Sequence, residues 1–292
     1  MNDANVVGFD VSDELAEEAD VGAVGNVIKP VIYYRRCNDL QDNELAAMQR
    51  YFRCVESRMS IEQDELCIAR YSALPYYREL ETDIIFVGAK MINTHKQHRW
   101  IADLGNWTAD LGDLTPQTWH RLDFVPDCAF PIIVKGETNS KKFQWDTHMF
   151  AKDRRTAVDV MCRLQDDGFL CDQQIYFRKY VRLHSYLTGF RNLPITKEFR
   201  VFVCDGVVLS RGYYWSNYVD DIETTPDANE IPDLFLQRVI DCIGKNARYY
   251  TIDVAQTQSG DWIVIELNDG QMSGLSENDP EELYKNLKKV LT

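Results

Sequence analysis

The stretch TIDVAQTQSGDWIVIELNDG, residues 251–270, contains two apolar runs on either side of Ser259-Gly260. A small polar pair between alternating apolar runs is typical of the turn of a β-hairpin. A symmetric loop centred on this pair places Asp253 on one strand directly opposite Glu266 on the other. Two carboxylates in such positions destabilise a sheet unless a positive charge lies between them. The hairpin therefore predicts a site for a cation.

Side-chain alternation adds a third polar group to this site. Glu266 and Asn268 are two residues apart, so they share one face of their strand. The other face is expected to carry the apolar residues Ile263, Ile265 and Leu267. Oxygen ligands suit a hard cation, and Mg²⁺ commonly takes one or two protein carboxylates. Asp253, Glu266 and Asn268 are candidate Mg²⁺ ligands, and the alternative is the solvated face of an ordinary hairpin.

A second hairpin is predicted in KEFRVFVCDGVVLSRGYYW, residues 197–215. Asp205-Gly206 is a strong signal for a two-residue turn, and closing it places Arg200 opposite Arg211. Opposed guanidiniums repel each other, whereas a phosphate between them would accept charge-assisted hydrogen bonds from both. Glu198 shares the face of Arg200 and either pairs with it or accepts hydrogen bonds from a sugar hydroxyl. The alternative is an arginine pair lying over tyrosines at the sheet surface.

A third segment, FPIIVKG at residues 130–136, is a short apolar run that ends in a lysine. A polar loop, ETNSKK, follows at residues 137–142. A lysine at the end of a buried strand, followed by small and hydroxyl residues, suits phosphate binding through its ammonium group and the loop amides. A helix over 153–167 and a strand over 174–181 are predicted next.

This order of parts resembles the ATP-grasp superfamily from about residue 90 to residue 292. The most specific residues are the Glu198-Phe199-Arg200 motif and Asp253 followed by Glu266-Leu267-Asn268. The chain looks most like the bacterial and phage clade of that superfamily named for two arginines and a lysine, and more distantly like tubulin tyrosine ligase. The resemblance implies an α+β fold, in which two α+β lobes grip ATP, preceded by an N-terminal α/β lobe.

The resemblance also implies roles for individual residues. Asp253, Glu266 and Asn268 would bind the Mg²⁺ ions that bridge the ATP phosphates. The nucleotide itself would be bound by Lys135, Lys142, Glu198 and the backbone groups of Lys179 and Val181. In this scheme Lys135 contacts phosphate, Glu198 the ribose, and the hinge residues Lys179 and Val181 the adenine edge. Arg200 and Arg211 would face the transferred phosphate and the acyl intermediate. Either Lys96 or Arg99 would supply a further phosphate contact.

The chain is expected to divide into four parts. Residues 1–28 are acidic and poor in large apolar residues, which is typical of a disordered tail or a loosely docked segment. Residues 29–129 are predicted to form the N-terminal lobe, 130–182 the central ATP-grasp lobe and 183–292 the C-terminal lobe with the metal site. Helices are expected from Asp39 to about Ser57, from Thr94 to near Gly105, and over Pro280–Leu291.

Composition indicates an enzyme of the cytoplasm. The 292 residues are 45% hydrophobic, enough for more than one core, and neither a membrane span nor a secretory signal is apparent. The net charge of −14 argues against nonspecific binding to nucleic acid. The eight cysteines lack C-x-x-C spacing and are expected to be reduced core thiols.

Together these features predict an ATP- and Mg²⁺-dependent ligase that joins a carboxylate to an amine through an acylphosphate. The carboxylate is expected on a small molecule, a peptide or a protein terminus, and the sequence leaves this choice and the oligomeric state open. The alternatives are an ATP-grasp kinase that phosphorylates a hydroxyl and a nucleotide-binding protein without turnover.

Overall fold

The computed structural model of the protein describes residues 29–36 and 40–292. The expected tail, residues 1–28, and the expected helix cap at Asp39 lie outside the described residues. The described chain combines helices with parallel and antiparallel sheets, which confirms the predicted α+β class.

The N-terminal part is a parallel sheet with strand order β2-β1-β3-β4 and accompanying helices. Its strands are β1 (Lys29–Tyr34), β2 (Arg53–Val55), β3 (Glu65–Arg70) and β4 (Lys90–Met91). Its helices are α1 (Asp42–Tyr51), α2 (Tyr77–Phe86), α3 (His95–Ala102) and α4 (Leu104–Leu111). The expected helix capped by Thr94 is confirmed, but it ends at Ala102 rather than near Gly105, because Asp103 has extended backbone angles and its side chain caps the start of α4 by accepting from the Gly105 amide.

The central part is an antiparallel sheet with strand order β5-β8-β6-β7. Its elements are β5 (Thr118–Trp119), β6 (Ile132–Gly136), α5 (Trp145–His148), β7 (Phe150–Ala151), α6 (Arg154–Gln165) and β8 (Ile175–Lys179). The α6 helix covers this sheet with Ala157, Val160 and Leu164. Because β5 pairs with β8, this sheet includes residues that precede position 130, the expected start of the central lobe.

The C-terminal part contains a four-stranded antiparallel sheet with strand order β12-β11-β13-β14 and a separate two-stranded ribbon. The ribbon is β9 (Ser185–Thr188) and β10 (Pro194–Thr196), and the sheet is β11 (Glu198–Cys204), β12 (Val207–Tyr213), β13 (Tyr249–Gln256) and β14 (Trp262–Asp269). Two helices, α7 (Asp233–Ile243) and α8 (Pro280–Leu291), pack on its two faces. The α8 helix has the predicted bounds.

The expectation that the cysteines are core thiols is wrong for four of them. Cys67 and Cys204 are buried, but Cys128, Cys162, Cys171 and Cys242 are exposed. All of these thiols are free. Among the described residues, no helix has the length and apolar character needed to cross a membrane.

Candidate active site

The β13–β14 hairpin places Asp253 directly opposite Glu266, as predicted. The loop is not symmetric as expected, because Gln256 pairs with Trp262. The pairing of Asp253 with Glu266 results from a one-residue shift in register next to Asp253. The additional residue is Ile265 on β14, and this bulge restores the carboxylate pairing.

The same bulge changes which side chains face the site. Ile263 and Ile265 were expected on the face opposite Glu266, but all three border one cavity. Leu267 lies on the opposite face as expected, and Val264 joins it in the buried core under the sheet. The bulge therefore gives the site an apolar floor beside its carboxylate.

Arg200 on β11 binds the first of these carboxylates. It is the cross-strand neighbour of Asp253, and its guanidinium donates two hydrogen bonds, from Nε to Oδ1 at 2.8 Å and from Nη2 to Oδ2 at 2.7 Å. Burial would lower the pKa of Arg200, but the Asp253 carboxylate raises it above the ordinary value. Asp253 is fully buried, so the bidentate pair is what neutralises its charge.

Arg211 does not lie opposite Arg200, so the predicted pairing is wrong. The Asp205-Gly206 turn forms as expected and Cys204 pairs with Val207, but a bulge between Phe202 and Val203 shifts the register. Gly212 consequently faces Arg200, and Arg211 faces Val201. The Arg211 guanidinium binds Asp233 at 2.6 Å and the Ile231 carbonyl, away from the carboxylates.

Lys135 binds the second carboxylate. It is the fourth residue of β6, and its buried ammonium group forms an ion pair with Glu266. Burial alone would raise the pKa of Glu266, but the charges of Lys135, Lys142 and Arg200 hold it at about 2. Glu266 is therefore ionised, and each of the two opposed carboxylates lies beside its own cation.

Lys142 and Glu198 complete the charged group. Burial lowers the pKa of Lys142, although Glu266 and Glu198 oppose this effect, and its ammonium group contacts the Tyr214 hydroxyl. Burial raises the pKa of Glu198 to about 8, assisted by the negative charge of Asp253. At neutral pH Glu198 is therefore mostly protonated and able to donate a hydrogen bond.

An apolar cavity of about 140 Å³ lies between the central and C-terminal sheets, next to these charges. The apolar residues around it include Ile133, Met149, Val181, Leu193, Ile263 and Ile265. Of the two expected hinge residues, Lys179 has its amide hydrogen-bonded to the Gln117 carbonyl at 2.9 Å. Val181, just beyond the end of β8, is the better placed to contact a ligand.

Two larger polar cavities adjoin the same charges. One, of about 450 Å³, is bordered by the loop 138–142, Arg200, Glu266 and Asn268. The other, of about 870 Å³, lies between Arg70 and Tyr71 of the N-terminal part and the segment 274–280, with Arg200 and Lys142 also at its wall. Arg200 therefore borders both polar cavities.

Neither residue expected to supply a further phosphate contact borders these cavities. Lys96 is exposed on α3, and Arg99 forms an ion pair with Glu137 at 3.2 Å. Two residues of this helix, Ala102 and His98, border the smaller polar cavity, and His98 is the one with a polar side chain. It lies on the buried face of α3 with Ile101 and Ala102, where a histidine usually serves packing, so the sequence gives little sign of a site there.

Arg178 also lies at the site, in a position that was not predicted from the sequence. It is buried on β8 at the wall of the apolar cavity and donates to the Thr115 hydroxyl and the Ile265 carbonyl. Burial lowers its pKa to about 10, against the attraction of Glu266. The only sequence signal was its position in the predicted hinge strand.

The donor set fits Mg²⁺. Asp253 and Glu266 face each other across the hairpin, and Asn268 shares the 450 Å³ cavity with Glu266. Two carboxylates and one amide leave ligand positions for phosphate oxygens and water. Among residues 29–36 and 40–292, no cluster of three or more His, Cys, Asp or Glu side chains is arranged to hold a metal ion, so the structure offers no competing site of that kind.

The fold and the charged cleft define an ATP-grasp protein. Residues 116–287 match the model of an ATP-grasp domain, family 3 of the clade named for two arginines and a lysine, and the chain belongs to that family. The predicted superfamily and clade are thereby confirmed. Among curated proteins, none matches the chain in sequence.

Solved structures share the fold at low identity. D-cycloserine synthetase DcsG is 13% identical with a TM-score of 0.57, covering 90% of this chain and 100% of its own. The ATP-grasp ligase PsnB, complexed with a minimal precursor, is 13% identical with a TM-score of 0.57. The match covers 91% of this chain and 100% of the PsnB chain. D-alanine–D-alanine ligase from Bacillus anthracis, complexed with ATP, is 12% identical with a TM-score of 0.56. The match covers 91% of this chain and 95% of the ligase chain.

Proposed function

We propose that the protein is an ATP- and Mg²⁺-dependent ligase that forms an amide from a carboxylate and an amine. The observation that carries the proposal is the convergence of Lys135, Lys142 and Arg200 with the opposed carboxylates Asp253 and Glu266. Lys142 borders all three cavities, Arg200 borders both polar cavities, and Glu266 borders the apolar cavity and the smaller polar one. A nucleotide with its base in the apolar cavity would direct its phosphates toward these charges.

Each cavity would bind one part of the reactants. The apolar cavity suits the adenine, with the Val181 backbone at the base edge and Glu198 near the ribose. Lys179, whose amide is engaged in the sheet, would contribute only its carbonyl. Lys135 and Lys142 would contact phosphate oxygens. Mg²⁺ held by Asp253, Glu266 and Asn268 would neutralise charge on those phosphates.

The reaction has two steps. A carboxylate oxygen of the substrate attacks the terminal phosphorus, and the bond from that phosphorus to the ADP oxygen breaks. The amine nitrogen then attacks the acyl carbon, loses a proton and displaces phosphate. Arg200 borders both polar cavities, so its guanidinium would stabilise the negative charge that develops during both steps.

The larger polar cavity is the proposed substrate site. Its volume of about 870 Å³ exceeds the needs of a single amino acid, and it is bordered by aromatic side chains that include Tyr71, Tyr214 and Tyr218. Carboxylates on small molecules, peptides or protein termini remain the proposed substrate classes. The lobe boundary at residue 182, with the central lobe beginning before β5, and a cytoplasmic location with access to ATP are parts of the same proposal.

A trapping experiment tests the ligase. An acylphosphate is electrophilic at carbon, so hydroxylamine should convert it to a hydroxamate when ATP, Mg²⁺ and an accepted carboxylate are present. Carboxylates are first screened for ADP release, and Lys135→Ala should suppress both ADP release and hydroxamate. Arg211→Ala is the matched control, because its guanidinium lies away from the site. A stable phosphorylated product without hydroxamate would indicate a kinase rather than a ligase. ATP binding without ADP release would indicate a nucleotide-binding protein without turnover.

A further inference from the structure

Arg178 is a buried arginine whose hydrogen-bond acceptors are neutral groups. It lies on β8 at the wall of the apolar cavity and is 5% exposed. Its guanidinium donates to the Thr115 hydroxyl and to the backbone carbonyls of Ile265 and Val264. Burying a charge beside neutral groups costs free energy. An apolar side chain would cover this part of the sheet without that cost, so the contacts of the guanidinium are the reason to examine it.

Ile265 is the residue that the bulge in β14 leaves without a cross-strand partner. Strand β13 pairs with Glu266 on one side of it and with Val264 on the other, so Ile265 itself has no opposite residue. In the described chain β14 is also the edge strand of its sheet, so no further strand of that sheet binds its outer backbone groups. Arg178, from the central sheet, supplies the donor for the Ile265 carbonyl.

The anchored carbonyl bears directly on Glu266. It belongs to the peptide unit that joins Ile265 to Glu266, and a peptide unit is planar. A hydrogen bond that holds the carbonyl therefore fixes the plane and with it the backbone torsion at Glu266. That torsion determines the direction in which the Glu266 side chain leaves the strand. Bulges commonly redirect a side chain in this way, and here the side chain is a proposed Mg²⁺ ligand.

Two adjacent strands of the central sheet hold these two consecutive residues of β14. Lys135 on β6 binds the Glu266 carboxylate, and Arg178 on β8 binds the Ile265 carbonyl. The two strands pair directly, with Ile133 opposite Arg178. In the proposed function Lys135 also contacts phosphate, so its hold on the carboxylate is shared with the nucleotide. The contact of Arg178 with the backbone does not depend on that exchange.

We propose that Arg178 is a positioning residue that holds the peptide between Ile265 and Glu266, so that the Glu266 carboxylate is directed at the Mg²⁺ site. This inference rests on the proposed function. Arg178 acts through the backbone of β14 and not as a ligand. Groups that orient a metal ligand typically change metal affinity about 10- to 100-fold when they are removed.

Two substitutions remove the anchor. Arg178→Met keeps an unbranched side chain but has no donor, and Arg178→Gln has an amide on a side chain that ends well before the guanidinium nitrogens. Leu164→Ala is the matched control, because it removes a fully buried side chain from α6 in the core of the same central sheet. Thermal melts check folding of the full-length proteins. Calorimetry measures ADP affinity with Mg²⁺ and with a chelator, and hydrogen exchange without metal or nucleotide compares β14 with β11.

We expect both Arg178 variants to bind ADP about 10- to 100-fold more weakly in Mg²⁺, with a smaller change in chelator. In the metal-free variants β14 should exchange faster relative to β11. Leu164→Ala should melt at a lower temperature but keep the Mg²⁺ dependence and the β14 exchange of the wild type.

A folded Arg178 variant with the Mg²⁺ dependence of the wild type overturns the inference. Equal losses of ADP affinity with and without Mg²⁺ also overturn it, because Arg178 would then serve the apolar cavity rather than Glu266. A wild-type protein that binds no adenine nucleotide refutes the proposed function instead. In that case unchanged β14 exchange in the metal-free variants would show separately that Arg178 does not hold the bulge.

Discussion

The ion pair between Lys135 and Glu266 makes the carboxylate both a stabilising group and a proposed metal ligand. The sequence suggested that removing one of two opposed carboxylates would relieve repulsion. Instead, Asp253 and Glu266 each have a cation of their own. Glu266→Gln leaves a buried ammonium group without its counter-charge and should reduce stability by about 1–3 kcal/mol.

Denaturant titration and nucleotide binding together test this role of Glu266. Adding Lys135→Met to Glu266→Gln should recover stability but not Mg²⁺-dependent ATP binding. Because the pKa of Glu266 is lowered to about 2, its stabilising contribution is present above its ordinary pKa and is lost as the pH falls toward 2. Glu266→Gln that binds ATP with unchanged Mg²⁺ dependence would contradict the metal assignment.

The contribution of Glu198 to stability depends on pH in the opposite direction to that of Glu266. Its pKa is raised to about 8 by burial and by Asp253, with Lys142, Thr196 and Glu266 also beside it. The native state holds a proton that the unfolded state releases, so this contribution is present below the ordinary pKa and lost as the pH rises through about 8.

Glu198→Gln should remove that part of the pH dependence. Between about pH 5 and 8 the wild type should lose stability relative to the variant, by an amount on the order of a few kcal/mol. Urea titrations of both proteins across this range measure the difference. Parallel stability curves would show that the native Glu198 carboxyl is ionised throughout.

Strand register places Arg200, and not Arg211, next to Asp253. The turn signals predicted both hairpins, and the pairing of Asp253 with Glu266 is confirmed. The bulges next to Phe202 and Asp253 could not be predicted, because they arise from packing against the rest of the sheet rather than from turn residues. The predicted opposition of Arg200 and Arg211 is therefore wrong, and the proposed phosphate contact falls to Arg200 alone.

Substitution of the two arginines tests this consequence of the register. Arg200→Ala should lower kcat by at least 100-fold, the scale for loss of a donor that stabilises transition-state charge. Arg211→Ala removes a pair with Asp233, which is largely exposed, and should change turnover less than about threefold, since such surface pairs contribute little. Steady-state kinetics with an accepted carboxylate measures both. Equal losses of kcat in the two variants would indicate that both arginines act in the reaction, as the sequence predicted.

Gly212 shows how the backbone of a strand shapes the larger polar cavity, the proposed substrate site. It faces Arg200 across the sheet, and a Cβ atom there would lie 2.3 Å from the Asn278 amide nitrogen and 2.4 Å from the Glu277 carbonyl carbon. Both are backbone atoms, so the segment 274–280 would have to move.

Gly212→Ala should therefore displace a wall of the larger polar cavity. We expect a higher KM for the carboxylate, with adenosine affinity unchanged because the apolar cavity is bordered by other segments. Gly168→Ala, in the loop after α6, controls for the loss of a glycine, because an added Cβ there meets no atom within 4 Å. An unchanged KM in Gly212→Ala would mean that the substrate binds elsewhere.

At the scale of the whole molecule, the N-terminal sheet and the C-terminal sheet share one core. Ile32 and Ile68 of the N-terminal sheet form a buried cluster with Phe202, Tyr249 and Leu287. The α8 helix packs on both α1 and β12. The sequence predicted α8 from its apolar spacing, but it could not show that this helix joins lobes assigned to residues 29–129 and 183–292, because the contacts span most of the chain.

A shared core predicts that the two sheets unfold together. Leu287→Ala removes a fully buried side chain from α8 and should cost about 2–5 kcal/mol. Because its neighbours come from both sheets, hydrogen exchange should show reduced protection in β1 and β3 as well as in β11 and β13, within one cooperative transition. Leu234→Ala, a leucine on α7 that is 82% exposed, should leave stability and exchange nearly unchanged. Loss of protection confined to β11 and β13 would mean that the N-terminal sheet folds independently. The proposed substrate cavity between the two sheets would then depend on docking of separate lobes rather than on a common core.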